Sequence, residues 1–362
     1  MRLYSAYTAA LCGLWVMWAS GSGAQTPKRG DSAPSVSVSV VPQGANRDRT
    51  LTGHTDFVSA LAFSPDSRHL VTGSVDTTAI VWDVATGRKL LTLKGNTAGI
   101  TCATYSGDGK HIVTGCMDGS IRVWSAATGE KTMSLASPGA GAVAFDICAD
   151  PTKLLCGYSN GQAKLWNIAT GKSLLTLPYT GILSCVFLAS DGSQIATGYL
   201  DGVARVWDAH TGHPLFTAKI PQKNVGITNL ILLRQAKEHV LITFDREGEG
   251  EDMTLAGTVW ELTSSKKYPL MKLPIAESTL GLALYGGDGT MLLRQSDGAA
   301  LLLFFKGTDV GSMTQLNAHE GIILAGAISP DGTLGATGGA RGKTGEAKLW
   351  DIKARRPAPD GK

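Results

Sequence analysis

An all-β ring built from one four-stranded unit repeated seven times is the fold class that this 362-residue sequence predicts, and two observations predict it. Six tryptophans, Trp82, Trp124, Trp166, Trp207, Trp260 and Trp350, recur at separations of 42, 42, 41, 53 and 90 residues, the last being two periods of 45. A fixed period of about forty residues marks a repeat architecture, in which neighbouring units share their apolar faces. The segments that follow the tryptophans also superimpose without a gap: VWDVATGRKLLTL from Val81, VWSAATGEKTMSL from Val123, LWNIATGKSLLTL from Leu165 and VWDAHTGHPLFTA from Val206.

Within a unit the apolar runs alternate, are rich in Val, Ile, Thr and aromatic residues, and are bounded by Gly, Asp, Pro and Ser clusters, so they read as strands. FVSALAFSPDSRHLVTGSVD from Phe57 matches GITCATYSGDGKHIVTGCMD from Gly99, giving the first two strands and the polar turn between them. The tryptophan ends the third strand. A recurring Thr-Gly at Gly87, Gly129, Gly171 and Gly212 suits a turn that needs positive φ, and it joins the third strand to the fourth.

Blade one carries Gly53-His54 at its start and Trp82-Asp83 near its end, and by these residues the chain resembles the WD-repeat (WD40) β-propeller family. The resemblance covers roughly residues 46–352. It implies seven four-stranded antiparallel blades and a buried structural tetrad, here His54, Thr72, Asp76 and Trp82. Blade two has Asn96 with Thr114, Asp118 and Trp124, and blade four has Tyr179 with Thr197, Asp201 and Trp207. Blade three places Pro138, Cys156 and Asn160 at the tetrad positions, and blade six has Phe304 or Phe305 in place of tryptophan, so neither is expected to hold a tetrad. Blade seven keeps His319, Thr337 and Trp350 but lacks the aspartate. The chain ends soon after the third strand of blade seven, and NRDRTLTGH from Asn46 resembles a fourth strand, so the N-terminus is expected to close the ring.

Composition bounds the remaining readings. Residues 1–24 hold Arg2, an apolar stretch from Ala9 to Ala19 and Ser22-Gly23-Ala24, the pattern of a signal peptide cleaved after Ala24. That predicts a secreted or periplasmic protein with no stable membrane insertion after cleavage. Residues 25–45 are a Ser/Pro/Val-rich linker with a short strand at 35–41, residues 46–354 form the propeller and 355–362 a flexible tail. A formal charge of +3 with scattered Lys and Arg leaves no footprint for nucleic acid. Five cysteines beyond the signal sequence, Cys102, Cys116, Cys148, Cys156 and Cys185, are an odd set on strands. Buried thiols are the reading, with Cys102 and Cys116 the pair close enough along a hairpin to consider for a bridge.

No residues stand at zinc spacing and no Ser, His and Asp set can be nominated. Gly342-Lys343-Thr344 resembles the end of a phosphate loop, but Thr337 stands where the first glycine belongs and a strand follows. In blade five, Asp245, Glu247, Glu249 and Glu251 alternate in a glycine-containing segment. They are calcium candidates against the alternative of a solvated acidic turn, since Ala256 stands where an EF-hand needs glutamate. Resemblance to the family implies docking of peptides or proteins on one rim, which here carries Asp56, Phe57, Val75, Met117, Tyr158, Tyr199 and Leu200. The expected function is therefore a monomeric, non-catalytic protein-interaction scaffold without a cofactor. The alternatives are a propeller hydrolase or lyase with a central-channel site, or a propeller that binds a small ligand or carbohydrate.

Overall fold

Seven antiparallel sheets stand in a ring in the computed structural model, which describes residues 38–40 and 48–356 apart from short segments at 137–139, 179–180, 221–225, 236–237, 248–253, 264–265, 275–278, 286–289, 296–297, 307–308 and 342–343. Blade one is Val58–Phe63, His69–Ser74, Ala79–Asp83 and Lys89–Leu93, each strand pairing with the next. The first strands of the later blades are Ile100–Tyr105, Ala142–Ile147, Leu183–Leu188, Ile227–Gln235, Thr279–Tyr285 and Ile323–Ile328. Each packs against the first strand of the following blade, and that of blade seven packs against that of blade one.

Burial follows from this radial order. First strands, covered by neighbours on both faces, are buried along their whole length in blades one, two and four, whereas the outer strand Lys89–Leu93 is largely exposed. The apolar core is accordingly divided into layers between blades. Tyr105, Ile112 and Trp124 of blade two pack with Val71 and Val81 of blade one, and Phe145 of blade three packs with Val113 and Val123 of blade two. Glycine in the second strand permits this approach: a Cβ at Gly115 would lie 2.3 Å from Phe145 Cζ, and one at Gly73 would lie 2.5 Å from Ile100 Cγ2. At the hairpins between third and fourth strands, Gly87, Gly129, Gly171 and Gly212 take φ of 72°, 74°, 73° and 74°, which glycine adopts without a Cβ clash.

The ring closes as the sequence leads one to expect. Arg49–Thr52 is the outer strand of blade seven, antiparallel to Thr344–Asp351 with Leu51 opposite Ala347. A clasp secures it: Asp48 Oδ1 accepts the Asp351 amide at 3.0 Å, and the Arg355 guanidinium donates to both Asp48 oxygens at 2.9 and 2.6 Å. Arg355 is buried in a short 3-10 turn, Lys353–Arg355, and lies over the Trp350 ring, so it belongs to the propeller and not to a flexible tail. Residues 1–24 and 357–362 lie outside the described residues. Of the linker, Val38–Val40 is described. It pairs in parallel with Met313–Gln315 and adds a fifth strand to blade six.

All five described cysteines are buried free thiols. In the hairpin Cys102 faces Gly115 while Cys116 faces Ile100, an offset that leaves the two cysteines unbridged.

Hydroxyl groups also bind first strands to one another across the ring. Ser59 donates to the Ile100 carbonyl, Thr101 to Ala142 O at 2.7 Å and Ser184 to Ile227 O at 2.6 Å. Blade three has Val143 at this position and cannot make the bond. Its link to blade four comes from Asp146, whose Oδ2 accepts the Leu188 amide at 2.6 Å while Oδ1 accepts the Ile147 amide at 2.9 Å.

Three measurements follow from these contacts. Removing residues 46–53 is expected to lower the melting temperature of the whole propeller. Asp48→Ala is expected to cost about 3 kcal/mol in denaturant titration, because it strands a buried guanidinium; an unchanged midpoint would show that the clasp does not hold the ring. Burial pushes the Asp146 carboxyl up to about 8, against the lowering effect of its two amide bonds. Between its ordinary value of 3.8 and that point the folded state keeps a proton that the unfolded chain releases, so stability falls as pH rises through the window. Asp146→Asn, which cannot ionise, is expected to show a shallower decline of melting temperature from pH 5 to pH 8 than the parent.

Candidate functional site

The rim at the start of the first strands is assembled by one repeated hydrogen bond. The residue after each second strand donates its amide to the residue just before the first strand: Val75 to Phe57 O at 3.0 Å, Met117 to Gly99 O at 2.9 Å, Ser159 to Gly141 O at 2.8 Å and Leu200 to Ile182 O at 2.9 Å. Two loops of each of blades one to four are thereby held side by side. Neighbouring blades then meet closely. A Cβ on Gly141 would lie 2.6 Å from Met117 O, and one on Gly226 would lie 3.1 Å from Leu200 Cδ2. At five of these positions the residue is a large apolar group that faces solvent. Phe57, Met117, Ile182, Leu200 and Ile322 are between 39% and 56% exposed and span blades seven, one, two and four.

Three of the expected rim residues, Phe57, Met117 and Leu200, thus sit on this surface, and Asp56 and Val75 are half-buried beside it. Asp56 holds its own loop: its carbonyl accepts the Ser74 hydroxyl at 2.9 Å and its carboxylate accepts the Phe57 amide at 2.7 Å. Tyr158 and Tyr199 are not on the surface; both are fully buried. They are the last residues of their second strands, equivalent to Ser74, and at that position the side chain turns inward toward the polar layer. Ile182 and Ile322 were missed, although each stands one residue before a first strand, as Phe57 does.

Beneath the rim lies a layer of buried polar side chains. In blade one the Trp82 indole donates to Thr72 Oγ1 at 2.9 Å, Thr72 meets His54 Nε2 at 2.8 Å, and His54 Nδ1 meets Asp76 Oδ2 at 2.9 Å. The bonds form one directed chain: with Nδ1–H donating to the carboxylate, Nε2 accepts the threonine proton, and each link polarises the next. Burial pushes His54 below its ordinary pKa although Asp76 opposes it. Burial alone would raise Asp76, but hydrogen bonds from Thr78 and Thr55 outweigh it and hold the carboxyl below its usual value. Blade two carries the chain from Trp124 to Thr114 to Asn96 at 2.9 Å for both bonds, while Asp118 turns to Thr97 and Ser120.

The other blades depart from the expected pattern. Blade three keeps a paired tryptophan: with Cys156 in the threonine position, Trp166 donates instead to Tyr158 Oη at 3.1 Å. Blade seven recovers its carboxylate from the third strand, where Glu346 Oε1 lies 3.1 Å from His319 Nδ1. Trp207 reaches Thr197 and Trp260 reaches Thr243, each at 3.0 Å. Tyr179 and Pro138 lie outside the described residues, and in blade six Phe304 is buried. The sequence reading also overlooked a set of cations two residues before the tryptophan. Arg122, Lys164 and Arg205 occur in blades two to four, and Lys348 in blade seven, where it lies 3.5 Å from Glu346. Arg122 donates to Ser120 and Thr97, and Lys164 and Arg205 lie over the rings of Trp166 and Trp207. Blade one, which has its histidine, places Ile80 there.

The calcium candidates do not form a loop together. Asp245 and Glu247 belong to the strand Glu238–Glu247, opposite Ala256 and Thr254, because the hairpin of blade five extends its strands. Glu249 and Glu251 lie outside the described residues, and among the described residues no group of three or more ligating side chains is suited to a metal ion.

Three segments, residues 46–83, 87–125 and 171–208, match the family described as WD domain, G-beta repeat. Together with the closed ring of seven four-stranded blades, these matches decide the family. The chain belongs to the WD40-repeat propellers. The matched segments contain Trp82, Trp124 and Trp207, the tryptophans paired with Thr72, Thr114 and Thr197. Among curated proteins, this WD40 chain is 50% identical over 42 residues to Protein Mut11 from Chlamydomonas reinhardtii. That similarity covers 12% of this chain and 11% of Mut11, the length of one repeat.

Proposed function

We propose that this WD40 propeller is a non-catalytic protein-interaction scaffold, monomeric, that docks a peptide or protein partner on the rim outside the cytoplasm. The observation that carries the reading is that Phe57, Met117, Ile182, Leu200 and Ile322 are all exposed on one rim at two equivalent positions. Apolar groups gathered on one surface lose water when a partner covers them, and such residues anchor interfaces. The half-buried Asp56 supplies an acceptor at the edge of this surface. The non-catalytic part of the reading is supported by the histidines of blades one and seven, which are buried, neutral at pH 7 and engaged in hydrogen-bonded chains. Export is supported by the N-terminal charge, apolar stretch and small-residue site of residues 1–24.

Affinity capture from the native envelope or culture medium tests the rim, using residues 25–362 as bait beside a Phe57→Ala, Met117→Ala, Leu200→Ala variant. A partner held by the parent and lost by the variant is the expected result; equal capture by both would overturn docking at this face. Intact mass of the protein isolated from its source tests export separately. The expected mature chain begins at Gln25, and a chain that retains residues 1–24 would sink the cleavage reading.

A further inference from the structure

At the opposite end of the channel from the rim, the first strands of four consecutive blades, seven, one, two and three, line a small recess that opens to solvent. Its walls are mainly apolar, with Phe63, Ile147 and Ile328 among them, and its polar groups are few: Thr104, Tyr105 and Asp146. The Thr104 hydroxyl is turned to the Tyr105 carbonyl at 3.3 Å. The Tyr105 hydroxyl is buried and has no hydrogen-bond partner among the described residues. Asp146 is buried and accepts only the amides of Ile147 and Leu188, which leaves further lone pairs on its oxygens.

What such a recess recognises is limited by its chemistry. An anion would find no basic side chain among the lining residues to balance its charge. A calcium ion takes six to eight oxygens, and here a single carboxyl group stands among apolar side chains. A carbohydrate requires many directional polar partners, and the apolar lining offers few. A small organic cation meets a different balance: the acid supplies the counter-charge, the Phe63 and Tyr105 rings suit cation–π contact, and the aliphatic walls take its carbon atoms.

We propose that the channel end bounded by Asp146, Tyr105 and Phe63 is a binding site for a small organic ammonium ion, separate from the rim. Without a cation the Asp146 carboxyl holds its proton at neutral pH, because burial raises it to about 8. The nearby titratable groups oppose this little: the Cys148 thiol is kept neutral by burial, and Asp66 acts on Tyr105, whose hydroxyl burial holds protonated. Binding is then an exchange. The ammonium enters with its charge, Asp146 ionises against it, and one proton leaves to solvent. Charge is conserved and the carboxylate keeps its bond to the Leu188 amide.

Isothermal titration of residues 25–362 at pH 6.5 with propylammonium, isobutylammonium and tetramethylammonium chlorides, each in phosphate and in MES, reads both parts of the proposal. Saturable binding of at least one probe is expected, with a difference in heat between the buffers that corresponds to nearly one proton released per ligand. Asp146→Asn is expected to weaken that binding at least tenfold, and Phe63→Ala to weaken it while proton release persists. Absence of saturable binding by all three probes would overturn the proposal, as would binding without proton release. Should Asp146→Asn fail to fold, proton release by the parent and the loss in Phe63→Ala decide the matter.

Discussion

A blade of this propeller has two apolar faces and no core of its own, so closure of the ring is the constraint on which the rest depends. The layer around Leu61, Leu70 and Trp82 makes the point. It contains Ala325, Ala336 and Leu349 of blade seven, and Leu51 from the N-terminal strand, so the first and last repeats are halves of one core. An open ring would expose that whole layer at once. The Asp48 and Arg355 pair sits outside the sheet hydrogen bonds and fixes the two chain ends relative to each other. The loops that form the rim are positioned by the same geometry, since Gly345 of blade seven lies so near Asp56 of blade one that a Cβ would lie within 1.9 Å of its carbonyl oxygen. Rim and closure are parts of one packing problem.

The repeat was legible because its signal is chemical as well as periodic. A tryptophan that must be buried needs an acceptor for its N–H, and Thr72, Thr114, Thr197, Thr243 and Thr337 provide it, so both residues recur in the sequence. Substitutions that preserve the chemistry by other means were not legible. Glu346 stands at the position of Thr78 in blade one, and Thr78 Oγ1 itself lies 3.2 Å from His54 Nδ1, so that position already faces the histidine. A longer acid there replaces an aspartate that the turn lacks. Tyr158 solves the same problem in blade three from two residues further along its strand. A pattern search for fixed residues at fixed positions reads both blades as incomplete, whereas the hydrogen-bond requirement is met in each.

The same distinction governs the rim. Residue type alone places the two tyrosines outside, because aromatic residues often anchor interfaces. Their strand position decides otherwise: in blades one to four the final residue of the second strand is buried, whether it is Ser74, Cys116, Tyr158 or Tyr199. The next residue along turns outward, and it is there that Met117 and Leu200 stand. Register, which neither composition nor residue type reveals, separates a structural tyrosine from a contact residue one position away.

Departure from the repeat also explains where unusual chemistry arises. In blades one, two and four a hydroxyl at the second position of the first strand ties the blade to its successor near the rim. Blade three carries Val143 there, and the link to blade four moves to Asp146, three residues further along the same strand. That displacement brings an ionisable group to the far end of the channel, where other blades place alanine, threonine, phenylalanine or isoleucine. A neutral hydroxyl bridge costs little to bury, whereas a carboxyl in the same role must either keep its proton or find a cation. The substitution therefore preserves the architecture and, in the same residue, places at the channel end a carboxyl that burial keeps protonated up to about pH 8.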